Sequence, residues 1–284
     1  MKVKKFLKEY WLSIAVISFM AVIVICSSNT SVANLSEESK KTTHLSTLSS
    51  SVELPVISGE IGLPVLQGDN QGQLLYRKGY VISYNKETRL PNWVAWHLTS
   101  DHLTDKVSRP GNAFHEDLSV PEPRATNDDY KGSGWSRGHM CPAGDNKWDS
   151  DAMYESFLLS NVCPQHSNLN SGVWNQIELS CRNWAKKYGD IYVICGPIFM
   201  NTNHVTIGEN KIVVPEAFFK VILSLNGEPK GLGFICRNTD GSRKKDLYVN
   251  TISQVERITK ITFFPHLSKD VSNKVKFQAD LQMW

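Results

Sequence analysis

The sequence predicts an α+β fold with a central, mainly antiparallel sheet flanked by helices. Several apolar or alternating segments have the length and composition of strands, and two have the apolar spacing of helices. The predicted strands are residues 80–84, 91–98, 190–196, 213–223 and 231–236, and the predicted helices are residues 174–188 and 249–258. Asn226-Gly227 stands between the last two strands as a hairpin turn, which favours antiparallel pairing.

The composition is that of a globular protein without a strong overall charge. Of the 284 residues, 41% are hydrophobic and 21% are charged, which suits one large domain or two small ones. The formal net charge of +3 arises in the first ten residues, where Lys2, Lys4, Lys5 and Lys8 outnumber Glu9. The rest of the chain is formally neutral, so contact with a nucleic acid would need a local basic patch.

The N-terminal region predicts an export segment followed by a linker. Residues 1–33 combine a lysine-rich start, an uncharged apolar run and the small residues Ser31-Val32-Ala33, which is typical of a signal peptide or an N-terminal membrane anchor. Residues 34–60 are a Ser/Thr-rich flexible linker with too few large apolar groups to offset the entropy of ordering. Residues 61–284 form the folded domain. The segment predicts an exported protein that is periplasmic, secreted or anchored at the cell surface.

The six cysteines do not form the pattern of a disulfide framework or a zinc site. Five would remain after removal of residues 1–33, which is an odd number, and no Cys-x-x-Cys pair is present. Cys181 and Cys195 occupy apolar positions of a predicted helix and a predicted strand, so we expect both in the core. The sequence has no His-x-x-x-His pair, which disfavours a zinc hydrolase.

A long polar segment, residues 105–131, separates the second predicted strand from the centre of the chain. It contains three prolines and two arginines, Arg109 and Arg124. Loops of this length in compact domains are often functional. Either arginine could therefore bind phosphate, although solvated surface arginines are the more common case.

The helix predicted from residue 174 carries polar side chains beside its apolar stripe. The stripe consists of Trp174, Ile177, Cys181 and Trp184. Glu178 and Arg182 are four residues apart on the adjoining flank, where the simplest interpretation is a surface ion pair. Asn170 precedes the helix, and by itself a helix cap is the simplest interpretation of that residue.

His139 lies where a predicted strand passes into a turn. Three glycines precede it, Gly132, Gly134 and Gly138, and each allows another group to approach the backbone closely. Asn161 and Asn170 bracket a Pro-Gln turn farther along the chain. Asparagine carbonyl oxygens are hard ligands that suit Mg²⁺, and one such oxygen would leave the ion most of its water.

Two motif blocks stand at the centre of the chain. The first, Ser136-Arg137-Gly138-His139, resembles the Asp-Arg-Gly-His signature of the DNA/RNA non-specific endonucleases, which have the ββα-metal (His-Me finger) fold. The second block is Asn161-x-x-Pro164-Gln165-x-x-x-Leu169-Asn170-x-Gly172-x-Trp174-x-x-x-Glu178-x-x-x-Arg182. Shorter matches are Cys195-Gly196-Pro197, the segment from Val214-Pro215 to Lys220, and Phe263-Phe264-Pro265. The resemblance covers about residues 73–267, and it implies hydrolysis of DNA and RNA phosphodiester bonds.

The resemblance implies a role for each matched residue. His139 would be the general base that takes a proton from the attacking water, which an imidazole can do near neutral pH. Asn170 would be the single protein ligand of Mg²⁺, for which Mn²⁺ or Ca²⁺ could substitute, and Glu178 would orient waters around the ion. The expected products carry 5′-phosphate and 3′-hydroxyl ends.

The remaining matched side chains would act on the phosphate. Arg137 and Arg182 would steady it and the charge it gains in the transition state. Asn161 would position His139 or the phosphate, and Arg109 would match a phosphate-contacting loop arginine of the family. The implied partners are DNA and RNA without strong sequence specificity. Some members of the family are dimers, so a homodimer is a further expected partner, as is a membrane at the N-terminus.

One residue departs from the family pattern. The acidic first residue of the signature is Ser136 here, which keeps a hydrogen-bonding oxygen but loses the charge. The leading hypothesis is a metal-dependent endonuclease, and the alternative is a catalytically weakened relative that binds nucleic acid, for example in DNA uptake. A binder would retard DNA without shortening it. A phosphodiesterase for smaller substrates is a third hypothesis, which cleavage of a small aryl phosphodiester but not of DNA would favour.

Overall fold

The computed structural model describes residues 61–68, 72–111, 113–239 and 244–284. The signal peptide or anchor predicted at residues 1–33 and the linker predicted at residues 34–60 lie outside these ranges. Within the ranges, the helices are all too short or too polar to cross a bilayer.

Thirteen strands and six helices are assigned in the described residues. The strands are β1 (Val65–Leu66), β2 (Gln73–Tyr76), β3 (Val81–Asn85), β4 (Leu90–Thr99), β5 (Ser136–His139), β6 (Val162–Gln165), β7 (Asp190–Ile198), β8 (Thr206–Ile207), β9 (Ile212–Val213), β10 (Ala217–Ser224), β11 (Lys230–Arg237), β12 (Val249–Asn250) and β13 (Ile261–Thr262). The helices are α1 (Asn127–Tyr130), α2 (Ser150–Ser156), α3 (Ser167–Leu169), α4 (Asn175–Tyr188), α5 (Ile252–Thr259) and α6 (Lys269–Lys276).

Seven strands form one antiparallel sheet in the order β12-β11-β10-β7-β4-β3-β2. Its central strands are buried on both faces, because α4 packs on one face and α5 and α6 pack on the other. Alternate residues of a strand therefore enter two different apolar cores: on β4, Val94 and Trp96 enter the core beneath α4, and Trp93 and Ala95 enter the opposite core. The predicted α+β class with a mainly antiparallel sheet flanked by helices is confirmed.

A small hairpin and a helix form a ββα unit on the α4 face. Strand β5 pairs with β6, with His139 opposite Val162 and Ser136 opposite Gln165. A Cβ atom on Gly138 would collide with the Gln165 side chain, so the close pairing of these strands depends on glycine at that position. After β6 the chain passes through α3 and a π-helical turn, Asn170–Trp174, into α4.

Most predicted elements occur, with shifted ends. The strand predicted at 213–223 begins at Ala217, because Val213 belongs to the separate β8–β9 pair and Pro215 interrupts the segment. The helix predicted at 249–258 begins after Thr251, whose side chain accepts a hydrogen bond from the Gln254 N–H in a capping box. Gly189, with φ of 90°, ends α4 as predicted. Strand β2 and helices α2 and α6 were not predicted.

Candidate active site

One cleft of about 750 Å³ brings together most of the residues predicted to act in catalysis. It lies against the ββα unit, and the long loop before β5 forms part of its wall. The predicted residues that line it are Arg109, Arg137, His139, Asn170, Glu178 and Arg182, and Ser136 lines it as well. These residues come from a loop, a strand, a turn and a helix, so only the fold brings them together.

His139, the last residue of β5, is held in an apolar wall of the cleft. Its ring packs 4.9 Å from the Phe114 ring and 5.0 Å from the Phe157 ring, measured between centroids. The ring is half-buried, but its Nε2 atom is fully shielded and has no hydrogen-bond partner among the described residues. Burial, together with the charges of Arg109 and Arg137, lowers the pKa of His139 to about 3, so the imidazole is neutral at physiological pH.

Two arginines stand beside this histidine on aromatic supports. The Arg137 guanidinium lies 4.6 Å from the Phe114 ring centroid, and its Nη1 donates a 2.6 Å hydrogen bond to the Asn127 side chain. The Arg109 guanidinium lies 5.0 Å from the Phe157 ring centroid. Both side chains are exposed, which leaves their remaining N–H groups free to bind an anion.

Asn161 does not line the cleft, so of the two roles predicted for it, positioning His139 or positioning the phosphate, its contacts fit only the first. The side chain is fully buried, because its amide completes the turn behind β5. Its Oδ1 accepts from the Cys141 N–H at 2.9 Å, and its Nδ2 donates to the carbonyls of Cys141 at 2.9 Å and Ser156 at 2.8 Å. All of its bonds are therefore used to fix the backbone immediately after His139.

Asn170 follows the last residue of α3 and faces the cleft, and its side chain caps no helix. Its backbone N–H donates to the His166 carbonyl, while its side-chain amide makes no hydrogen bond to any described residue. The side chain therefore offers a cation an oxygen that has no other use in the fold. No group of three or more His, Cys, Asp or Glu side chains suited to a metal occurs in the described ranges. An amide oxygen with the Glu178 carboxylate in the same cleft is a donor set that fits Mg²⁺.

Glu178 is on α4, lines the cleft and is half-buried. Burial raises the pKa of Glu178 to about 7, against the opposing influence of the Lys220 ammonium. Its ionisation is therefore poised near neutral pH, where a bound cation would favour the carboxylate.

Arg182 does not form the surface ion pair with Glu178 that helical spacing suggests. It pairs instead with Asp145, with 2.8 Å between Nη1 and Oδ1, and Asp145 also accepts a 3.1 Å hydrogen bond from the Trp96 indole. Asp145 is almost fully buried, and Arg182 is one-fifth exposed on the cleft side. A buried pair with a further hydrogen bond fixes the guanidinium more firmly than an exposed helix pair would.

Sequence reasoning missed several residues of this site. Asn127, which holds Arg137, begins the four-residue helix α1, and Asp145, which holds Arg182, ends a three-residue 3-10 helix. Elements this short give little periodic signal. Lys220 is fully buried and influences the pKa of Glu178, but the sequence shows it only as the last residue of the motif segment that begins at Val214. A lysine inside the apolar strand Ala217–Leu223 was the available signal, since lysine is almost never fully buried without a partner.

Comparison with known proteins gives one consistent result. The family model described as DNA/RNA non-specific endonuclease matches residues 57–270. The mitochondrial nuclease EXOG of Mus musculus is 37% identical over 213 residues, which cover 68% of this chain and 58% of that protein. The chain thus spans less than two thirds of the length of this relative.

Two further comparisons agree with the first. Mitochondrial endonuclease G of Bos taurus is 34% identical over 209 residues, which cover 69% of this chain and 70% of that protein. The crystal structure of the EndoG/EndoGI complex superposes with a TM-score of 0.70 at 28% identity, covering 77% of this chain and 94% of that one. The predicted ββα-metal fold is therefore confirmed.

The prediction of an exported, periplasmic, secreted or surface-anchored protein is wrong. It depended on the lysine-rich and apolar residues 1–33, a pattern that does not specify a compartment by itself. The relatives named EXOG and endonuclease G are mitochondrial, which points away from export. The homodimer and the N-terminal membrane association stay predictions.

Proposed function

Since the chain belongs to the DNA/RNA non-specific endonuclease family, we propose that it hydrolyses phosphodiester bonds of DNA and RNA in this cleft. The observation that carries the proposal is His139, a neutral histidine that lines one cleft together with three arginines. Arginines recognise phosphate and not base edges, so cleavage is expected to depend little on sequence.

His139 acts as the general base in this proposal. Its imidazole is unprotonated at neutral pH and can accept a proton from water that attacks the phosphorus. A pKa of about 3 describes the cleft without an anion. A phosphate bound to Arg109 and Arg137 offsets the two charges that lower this pKa, so the substrate itself makes His139 a stronger base.

The arginines bind the phosphate and the charge that it gains. Arg137 and Arg109 stand on the His139 side of the cleft, and Arg182 extends from α4. Arg182 is held in place by Asp145 and needs little reorganisation when charge develops on the phosphate. Products with 5′-phosphate and 3′-hydroxyl ends are expected.

Asn170 is the residue that would hold Mg²⁺, with Glu178 placed to bind the ion's water shell. When bound there, the ion would supply positive charge that stabilises the departing 3′ oxygen. A single neutral ligand holds the ion weakly, so we expect substrate phosphate to complete the site.

The test is degradation of plasmid DNA and of RNA by the full chain, with Mg²⁺ or with EDTA. Both polymers should be shortened only in the presence of the metal. His139→Ala should lower the rate by about 10²-fold or more, the range expected when a general base is lost. His97→Gln is the matched control, because His97 pairs with Asp190 on β7 and lies outside the cleft. This variant should degrade both polymers at the wild-type rate.

Ser136 favours one alternative, a weakened relative that binds nucleic acid without cutting it. The hydroxyl lines the cleft where the family has a carboxylate. Retardation of intact DNA at every metal tested would contradict the nuclease proposal and support this alternative. Cutting restored by Ser136→Asp would then identify the missing carboxylate as the cause.

A further inference from the structure

Lys220 is a fully buried lysine that the proposed reaction does not use directly. It lies on β10 between Phe218 and Ile222, and all three side chains face the core beneath α4. Its Nζ atom is shielded from solvent and has no hydrogen-bond partner among the described residues. Burial of an ammonium group is costly unless other charges or dipoles replace its water shell.

Two tryptophan rings replace part of that shell. The Nζ atom lies 4.4 Å from the Trp174 ring centroid and 5.1 Å from that of Trp96, distances typical of cation–π contacts. Each of the two tryptophans is also connected with a carboxyl group of the site, one by a hydrogen bond and the other by its position on α4. The Trp96 indole donates to Asp145, and Trp174 lies one helical turn before Glu178.

The carboxyl groups are the counter-charges of this lysine. Burial by itself lowers the pKa of Lys220, but the pKa lies above its ordinary value because Cys195, Glu178, Cys181 and Asp145 act on the ammonium. The thiols of Cys195 and Cys181 have pKa values of about 12 and are neutral, so the acidic partners are Glu178 and Asp145. Among the charged neighbours of Glu178, Lys220 has the largest influence on its pKa.

We propose that Lys220 is a positioning residue of the active site. Its ammonium, held between Trp96 and Trp174, attracts the carboxylates of Glu178 and Asp145 from behind the cleft. It thereby orients Glu178 and, through Asp145, Arg182. Lys220 itself touches neither substrate nor solvent. The inference rests on the proposed function for its catalytic consequence, but the charge coupling can be tested without turnover.

The experiment is a double-mutant cycle with Lys220→Met, Glu178→Gln and the double variant at pH 8. Methionine keeps the length and apolar stem of lysine and removes the charge. Lys220→Met should lower kcat by about tenfold or more with KM changed by less than about twofold, since the residue does not contact substrate. In the Glu178→Gln background the same change should cost clearly less, no more than about threefold, because Glu178 is already neutral and only the Asp145 carboxylate remains as the partner of Lys220.

The second readout is thermal unfolding in EDTA, which does not depend on activity. Lys220→Met should lower Tm more in the wild-type background than in the Glu178→Gln background. Lys276→Met is the matched control: Lys276 is nearly buried and pairs with Glu256 at 2.7 Å on the other side of the sheet. It should lower Tm without changing kcat.

Additive effects on both kcat and Tm would overturn the inference and leave Lys220 as a structural core residue. If wild-type protein does not cut at all, the proposed function fails, and the Tm cycle still decides the coupling. If Lys220→Met does not fold, the double variant decides: recovery of a folded protein supports the coupling, and continued unfolding contradicts it.

Discussion

At the scale of single residues, the site is governed by groups whose protonation is set by their surroundings. His139 is kept neutral by aromatic burial and two arginines, and Glu178 is kept near its point of ionisation by burial against Lys220. The pKa of His139 is lowered and that of Glu178 is raised. Near neutral pH the His139 imidazole is therefore unprotonated and able to act as a base, and the Glu178 carboxyl group is close to the midpoint of its ionisation.

Glu178→Gln should stabilise the protein above neutral pH. Burial raises the pKa of Glu178 to about 7 in the folded state, compared with 4.5 when exposed. The raised value means that the carboxyl contributes most to stability below pH 4.5 and that this contribution is lost as the pH rises through 7. Glutamine remains neutral, so the variant should gain up to about 3 kcal/mol at pH 8.5 and about nothing at pH 4.5.

Chemical denaturation in EDTA across this pH range measures that difference. Glu209→Gln, a change at an exposed residue of the β8–β9 turn, should show no such trend. A stability difference between Glu178→Gln and wild type that is the same at pH 4.5 and pH 8.5 would contradict the raised pKa.

At the scale of elements, the geometry of the β5–β6 hairpin depends on the hydrogen bonds that fix the long loop between its two strands. The segment from Met140 to Asn161 leaves β5 directly after His139 and returns to β6, and Asn161 ties its two ends together with three side-chain hydrogen bonds. The Met140 N–H also donates to the Asn161 carbonyl at 2.9 Å. The orientation of His139 therefore depends on a residue that does not reach the cleft.

Asn161→Ala should destabilise the protein by about 3 kcal/mol or more. It leaves a buried N–H and two buried carbonyls without partners, and each unsatisfied group costs about 1–3 kcal/mol. The exposed Asn168→Ala, in the same region of the chain, should change stability by less than about 0.5 kcal/mol. Urea unfolding of both variants checks this, and equal midpoints would show that the three bonds contribute nothing net.

At the scale of the whole molecule, attraction for nucleic acid is local. The formal charge of +3 is located in the first ten residues, so no net charge on the remaining body steers a polyanion toward the cleft. Binding is therefore expected to depend on the few arginines that line the cleft, and to weaken as salt replaces the counterions they displace.

Arg109→Gln should reduce the salt dependence of DNA binding. Loss of one phosphate contact lowers the slope of log K against log salt by about 0.9 and weakens binding equally for different sequences. Arg124→Gln is the matched control from the same loop, because Arg124 pairs with Glu116 and Glu122 and does not line the cleft. Fluorescence anisotropy in the His139→Ala background without metal measures both, and equal slopes for the two variants would exclude Arg109 from the phosphate site.

The sequence alone determined the fold class and most of the cleft. Alternating apolar strands and the stripe of α4 are periodic, so they can be recognised without coordinates. His139, Asn170, Glu178 and Arg182 could be found because they stand at fixed spacings in two short motif blocks.

The hydrogen-bond and ion-pair partners of the side chains depend on the three-dimensional fold and could not be predicted from the sequence. Helical spacing placed Glu178 beside Arg182, but Asp145, 37 residues away along the chain, is the residue that binds Arg182. The motif placed Asn161 in the active site, but its hydrogen bonds are all used within the fold. Lys220 lies on β10, well beyond both motif blocks along the chain. Hydrogen bonds and charge pairs depend on distance in space, and spacing along the chain carries that information only within a single helix or strand.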